Sequence, residues 1–123
     1  MINEIIYTYI IDMLFIKDML HFTYFVDTIP TAPRNVKATL SSEGYINVWW
    51  DPPEKNPESV AEYVVSYRVP SIKEDFDEVD RGFLSHTITG VLSNRQYSIY
   101  VKAKNQYGIS HASNMVYLQT HGR

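Results

Sequence analysis

The chain has 123 residues, a formal net charge of −3 and no cysteine, which suits one domain of ordinary size with a tail. The missing thiols exclude disulfides, thiolate zinc sites and thiol nucleophiles. Acidic and basic residues balance from Pro30 onward without forming a basic stripe, so we expect no nucleic acid partner.

Residues 1–29 form an apolar leader rich in Ile, Leu, Met, Phe and Tyr. A membrane span needs roughly 20 residues with few charges, whereas Asp12, Lys17 and Asp18 interrupt this segment. A secretory signal is also a poor match, because no positive residue precedes the apolar stretch. Three interpretations stay open: a degenerate membrane-targeting segment, sequence that is not native to the domain, or a helix that docks on the domain. Membrane association of the leader is therefore undecided.

Residues 30–121 are expected to form one all-β domain, and its first two strands follow the leader. Val36 and Ala38 are predicted to point inward from the first strand. In YINVWW, Ile46, Val48 and Trp50 alternate with outward residues, which is the period of a half-buried strand. The Pro-Pro pair that follows cannot donate to a ladder and ends the second strand.

The middle of the domain contains two more strands with inward faces and an acidic segment between them. Each of these strands directs three side chains inward: Tyr63, Val65 and Tyr67 in EYVVSYR, then Leu84, His86 and Ile88. The acidic run over residues 74–80 is typical of a charged edge strand, which resists pairing with another chain.

The longest alternation lies near the C-terminus. In QYSIYVKA, Tyr97, Ile99 and Val101 fall on one face. A loop over residues 106–110 is predicted to follow, and the last strand, MVYLQT, is expected to point Val116 and Leu118 inward.

Over residues 33–120 these segments resemble the fibronectin type III family. The matching motifs are Trp50 followed by Pro-Pro, the Y-x-V-x-Y that begins at Tyr63, and ITGVLSNRQY, which is similar to the family's I-T-G-L-x-P-x-T-x-Y. The resemblance implies a seven-stranded antiparallel Greek-key β-sandwich of the immunoglobulin-like type, preceded by the leader. Ser93 and Arg95 depart from the usual Pro and Thr at a surface turn.

The same resemblance implies which residues form the core. It places Val91 at the usual Leu and Tyr97 at a strand corner, where the tyrosine hydroxyl is expected to bond to nearby backbone. Leu92 then falls on a surface turn. The expected structural core consists of Trp50, Tyr63, Val65, Tyr67, Val91, Tyr97, Ile99 and Val101.

The sequence contains no motif for catalysis or for a cofactor. It has no Gly-rich phosphate loop, no H-E-x-x-H and no G-x-S-x-G, and its four histidines are scattered. We therefore expect no enzyme activity, no cofactor and no metal. Phe76 and Val79 interrupt the acidic run where a calcium loop needs ligands and a turn. His86 is interpreted as an inward histidine with a hydrogen-bond partner.

Three aromatic residues are candidates for partner binding. Tyr45 and Trp49 are expected on one outer sheet face, where large aromatics can anchor a neighbour or lie under Lys and Arg stems. Tyr107 is expected at a hairpin tip. The surrounding A-x-N-x-x-G-x-S is common family scaffold, which is the favoured interpretation there. The same loop lacks Arg-Gly-Asp, so binding to integrins through that motif is not supported.

The resemblance also implies a function and a location. The family supplies non-catalytic protein–protein interaction and spacer modules of adhesion, matrix or cell-surface receptor proteins. An extracellular location is then expected, with a protein partner or neighbouring domains of a larger chain. The alternative is a cytoplasmic structural repeat of the giant muscle-filament type.

Overall fold

The structure is a computed structural model that describes residues 29–72 and 74–122. Apart from Ile29, the leader lies outside the described residues, and so do the predictions made for it. No helix in the described ranges is long and apolar enough to cross a bilayer.

Eight strands among the described residues form two antiparallel sheets, which confirms the predicted all-β sandwich. In chain order the strands are β1 (Arg34–Leu40), β2 (Ile46–Asp51), β3 (Glu62–Arg68), β4 (Asp75–Asp80), β5 (Ser85–Ile88), β6 (Gln96–Asn105), β7 (Gly108–Ile109) and β8 (Val116–Gln119). A single 3-10 turn, Pro57–Ser59, lies between β2 and β3. The smaller sheet has the order β1-β2-β5, and the larger has the order β4-β3-β6, with β7 and β8 both pairing with β6.

The core lies between the two sheets and follows the alternation of the sequence. Trp50 is 2% exposed and packs against Tyr63, with ring centroids 5.3 Å apart and the planes tilted by 60°. The Trp50 indole N–H is buried without a hydrogen-bond partner among the described atoms. The remaining members of the buried cluster are Val36, Ile46, Val48, Val60, Val65, Val69, Val79, Ile88, Tyr97, Ile99, Val101 and Ala103. Burying each of the larger side chains contributes about 1.5–3 kcal/mol.

Several inward predictions need adjustment at the rim of this core. Ala38, Tyr67 and Val91 are only partly buried, although they pack against the cluster. The prediction for Leu84 was wrong, because this side chain is 41% exposed. Leu84 lies in a bend before β5 begins at Ser85, so strand alternation does not apply to it.

The corner between β5 and β6 is held by side chains from two directions. Tyr97 is buried, and its hydroxyl accepts a hydrogen bond from the Leu92 backbone N–H at 2.8 Å. The Leu92 side chain itself is exposed. The hydroxyl of Thr120, which is 3% exposed, donates to the Leu92 carbonyl at 2.8 Å. Thr120, which follows the last strand, is therefore bonded to the turn before β6.

The last strand is split in two, which accounts for eight strands where seven were predicted. Gly108–Ile109, expected to lie in a loop, pairs with the end of β6 as β7. Between β7 and β8, Ser110 and Ser113 replace regular pairing. Their hydroxyls accept the β6 N–H groups of Ala103 at 2.8 Å and Val101 at 2.9 Å. The backbone N–H groups of the same two serines donate to the carbonyls of Ala103 and Val101, so each serine pairs with β6 through its hydroxyl and its N–H.

Side chains also close both open edges of the sandwich. At the first, here called the Asn114 edge, the amide of Asn114 bonds to both backbone groups of Val36 on β1, at 3.0 Å each. At the second, here called the His86 edge, His86 Nε2 on β5 lies 2.8 Å from Asp77 Oδ2 on β4. His86 is partly buried and has the partner that was expected of an inward histidine.

Tyr67 completes the His86 edge. Its hydroxyl donates to Asp77 Oδ1 at 3.2 Å. Burial of the phenol raises the pKa of Tyr67 to about 12, and the charge of Asp77 acts in the same direction.

Candidate functional site

The described residues do not bring catalytic groups together. No group of three His, Asp or Glu side chains in residues 29–72 and 74–122 could hold a metal ion. In the acidic run, Asp77 turns inward to His86 while Glu78 points outward, so these two neighbouring carboxylates do not face a common site. The candidates for function are therefore surfaces rather than pockets.

Trp49 lies on the outer face of the smaller sheet and is 39% exposed. Its cross-strand neighbours are Lys37 on β1 and Ser85 on β5. Next to it on the same face, the Thr87 hydroxyl donates to Asn47 Oδ1 at 2.9 Å. Trp49 is thus a single large aromatic side chain on an otherwise polar face.

Tyr45 does not form one patch with Trp49. The two residues are four positions apart, which is about 13 Å along an extended chain. Tyr45 is fixed by the turn before β2, where its backbone N–H donates to the Ser41 hydroxyl at 3.0 Å. Its side chain is 42% exposed and lines a surface cleft with Val91 and Leu92 at the corner before β6.

Tyr107 lies in the two-residue tip between β6 and β7. The Asn105 side chain organises this tip, since its Oδ1 accepts the N–H groups of Tyr107 at 2.9 Å and Gly108 at 3.2 Å. The Asn105 amide also donates to the Ser59 hydroxyl at 3.1 Å. These contacts agree with a structural role for the motif, while the Tyr107 ring remains 38% exposed.

A fourth surface was missed by the sequence analysis. Apolar and aromatic side chains occupy outward positions on neighbouring strands of the larger sheet, around an open cleft of about 600 Å³. We call this surface the outer aromatic face; its members are Val64, Phe76, Tyr100 and Ile109, which line the cleft, and Tyr117, which lies beyond it on β8 opposite Ser98. Phe76 is 56% and Tyr117 65% exposed. Phe76 lies among acidic residues in the sequence, so the segment was interpreted as a charged edge strand. Alternation along β4 nevertheless puts the Phe76 side chain outward.

Charged groups flank this face and touch its aromatic members. The Tyr100 hydroxyl donates to Glu74 Oε1 at 2.7 Å, and this bond, with burial, raises the pKa of Tyr100. Lys102 Nζ lies 5.6 Å from the centroid of the same ring, within range of a cation–π interaction. Lys104 pairs with Glu62 at 3.2 Å.

Comparison with known proteins agrees with this architecture. The family model described as the fibronectin type III domain matches residues 31–119. The cell adhesion molecule DSCAM of Gallus gallus is 32% identical over 97 residues, which cover 77% of this chain and 5% of that protein. The receptor-type tyrosine-protein phosphatase S of Gallus gallus is 31% identical over 101 residues, covering 77% of this chain and 6% of that protein.

A solved structure gives the same result at the level of the fold. The FN1–FN3 domains of chicken CNTN1 superpose with a TM-score of 0.67 at 26% identity, covering 76% of this chain and 32% of that chain. The chain therefore spans only a small part of the length of the relatives that it matches.

Proposed function

This chain belongs to the fibronectin type III domain family, and from that premise we propose that it is a non-catalytic spacer and protein-binding module of a cell-surface adhesion or receptor protein. The observation that carries the proposal is the family match over residues 31–119, together with the similarity to a cell adhesion molecule and to a receptor-type phosphatase. An extracellular location belongs to the same proposal. The domain acts by rigid spacing and by recognition through exposed side chains.

The positions of the two ends of the sandwich support the spacer role. At the entry, the Thr31 N–H bonds to the Lys55 carbonyl in the loop between β2 and β3, at 3.3 Å. At the exit, the Asn94 N–H bonds to the His121 carbonyl at 3.0 Å, in the loop before β6. Those loops lie at opposite ends of the strands, so the chain passes through the sandwich from one pole to the other.

The three candidate aromatics take different roles in this arrangement. Tyr107 lies at the entry pole, because Asn105 beside it bonds to Ser59 in the loop between β2 and β3. Tyr45 lies at the exit pole beside Leu92. We assign these two residues to contacts with neighbouring domains. Trp49 lies on a side face and is assigned to a separate protein partner, since exposed tryptophans are enriched among binding hot spots.

Bead adhesion tests the proposal. Beads coated with the full chain are expected to stay on cultured cells through washing better than uncoated beads. Replacing Trp49 by Ser should weaken their binding at least about tenfold, because a hot-spot truncation costs about 2 kcal/mol or more. Thr87→Ala changes the same face without removing an aromatic ring and serves as the matched control.

Two results would argue against the proposal. Retention no better than that of uncoated beads would contradict a binding module. Full retention of the Trp49→Ser variant would remove Trp49 from the binding site while leaving the spacer role intact. Equal thermal midpoints for the parent chain and both variants ensure that the loss is not caused by unfolding.

A further inference from the structure

The outer aromatic face is large and apolar for an exposed surface. Phe76, Tyr117 and Ile109 are 56%, 65% and 48% exposed. Exposed apolar patches rimmed by polar groups commonly mark interaction sites. This face is on the larger sheet, opposite the face that carries Trp49, so it is independent of the site proposed above.

Charges are sorted across this face by strand. Glu78, Val64 and Lys102 lie directly opposite one another on β4, β3 and β6, so they form one row with an acid at one end and a base at the other. Glu78 forms no ion pair with any described residue. Lys104, the next outward residue on β6, also lines the cleft and pairs with Glu62 on β3. The row formed by Glu78, Val64 and Lys102 therefore runs from an acid through an apolar residue to a base.

This pattern is complementary to itself under one symmetry only. A two-fold axis that runs parallel to the strands above β3 exchanges the two halves of the face. Glu78 of one copy then lies over Lys102 of the other, twice in each dimer, with Val64 close to the axis. An axis across the strands would instead place acid over acid. Closed two-fold pairs of this kind are the commonest form of homo-oligomer.

We propose that the outer aromatic face docks a second copy of this chain, face to face, about a two-fold axis parallel to the strands. The face spans four strands about 4.8 Å apart and about six residues along each, which is roughly 20 Å by 20 Å. Interfaces of this size lie below the standard of about 800 Å² per partner. The pair is therefore weak and forms mainly at high local concentration.

Cysteine cross-linking tests the position of the axis. The chain has no cysteine, so a single introduced thiol is the only one present. Stacked sheets lie about 10 Å apart, which is too far for a direct disulfide, so a short bis-maleimide linker is used. The full chain with Val64→Cys is expected to cross-link into a dimer. Asn47→Cys, also half-buried and on the central strand of the smaller sheet, is the matched control and should stay monomeric.

Charge reversal tests the pairing itself. Glu78→Lys and Lys102→Glu should each weaken self-association by about tenfold or more in sedimentation equilibrium, since each places like charges together twice. The double variant E78K/K102E restores opposite charges and should return the dissociation constant to within about threefold of the parent. Lys37→Glu on the other sheet should have no effect.

The remaining outcomes overturn the proposal. Equal cross-linking of the Val64 and Asn47 variants would mean that association does not use this face. A Val64→Cys thiol that is unreactive in a monomer would mean that another part of the same chain covers the face. Association that ignores both charge reversals, or that the double variant fails to restore, would mean that the pairing is different.

Discussion

The two open edges of the sandwich are closed by different chemistry. At the Asn114 edge, one neutral amide takes the place of a strand and bonds to both backbone groups of Val36. At the His86 edge, an ionisable pair joins the sheets through side chains alone, with His86 and Asp77 2.8 Å apart. The first edge depends on hydrogen bonds to backbone groups, and the second depends on hydrogen bonds between side chains.

This difference determines what each contact contributes. Val36 is 2% exposed with Asn114 in place, and both its N–H and its carbonyl take their hydrogen bonds from that one side chain. The side chains of His86 and Asp77 are 26% and 35% exposed, so water can solvate either one alone. We therefore expect the Asn114 edge to matter more for stability, although it carries no charge.

Replacing Asn114 by Ala tests the edge that is expected to contribute more to stability. The change leaves two buried backbone groups unpaired, which should lower the free energy of unfolding by about 1–3 kcal/mol. Chemical denaturation monitored by tryptophan fluorescence measures this loss. Asn114→Asp is an informative comparison, because it keeps the acceptor for the Val36 N–H but places a carboxylate oxygen against the Val36 carbonyl, so it should also destabilise the domain. An unchanged free energy of unfolding for Asn114→Ala would contradict the assigned bonds.

Neither edge could be predicted in full from the sequence. Alternation predicts which side of a strand faces the core, and it correctly turned His86 inward. It does not predict that Asp77, one of several acids in a charged run, also turns inward and meets it. Asn114 lies in an irregular stretch to which no periodicity applies, so its bonds to β1, 78 residues away, left no signal in the sequence.

Replacing Asp77 by Ala tests the weaker edge. This change removes the hydrogen-bonded contact to His86 and the hydrogen bond from Tyr67, and it should cost about 1 kcal/mol. Glu78→Ala, the outward acid next to it, is the matched control and should be near neutral. The measurement is the free energy of unfolding of each variant relative to the parent chain. An Asp77→Ala loss larger than that of Asn114→Ala would reverse the ranking of the edges.

The candidate surfaces were predicted to an uneven extent. Trp49 and Tyr107 could be placed outside because strand alternation and turn position depend on local sequence. The position of Tyr45 in the cleft beside Leu92 depends on the turn at Ser41 and on the corner before β6. The outer aromatic face needed the pairing of β4 with β3 and of β8 with β6, because Phe76 and Tyr117 are 41 residues apart in sequence. The sequence of one strand predicts only that strand's outward residues, and the surface is formed by several paired strands.

The last prediction concerns pH, because a titrating group lies at the His86 edge and none lies at the Asn114 contact with Val36. The pKa of Tyr67 is raised to about 12, against 10.0 for an ordinary tyrosine. The folded state therefore keeps this proton after the unfolded chain has lost it, so its contribution is complete below pH 10 and declines between pH 10 and about 12. Tyr67→Phe should flatten the alkaline fall of the free energy of unfolding over that range, whereas Asn114→Ala should shift the curve without changing its slope. Tyr63 and Tyr100, whose pKa values are also raised, remain in all three proteins and give a common background. Identical alkaline slopes for the parent chain and Tyr67→Phe would show that the hydroxyl at the His86 edge is not linked to folding.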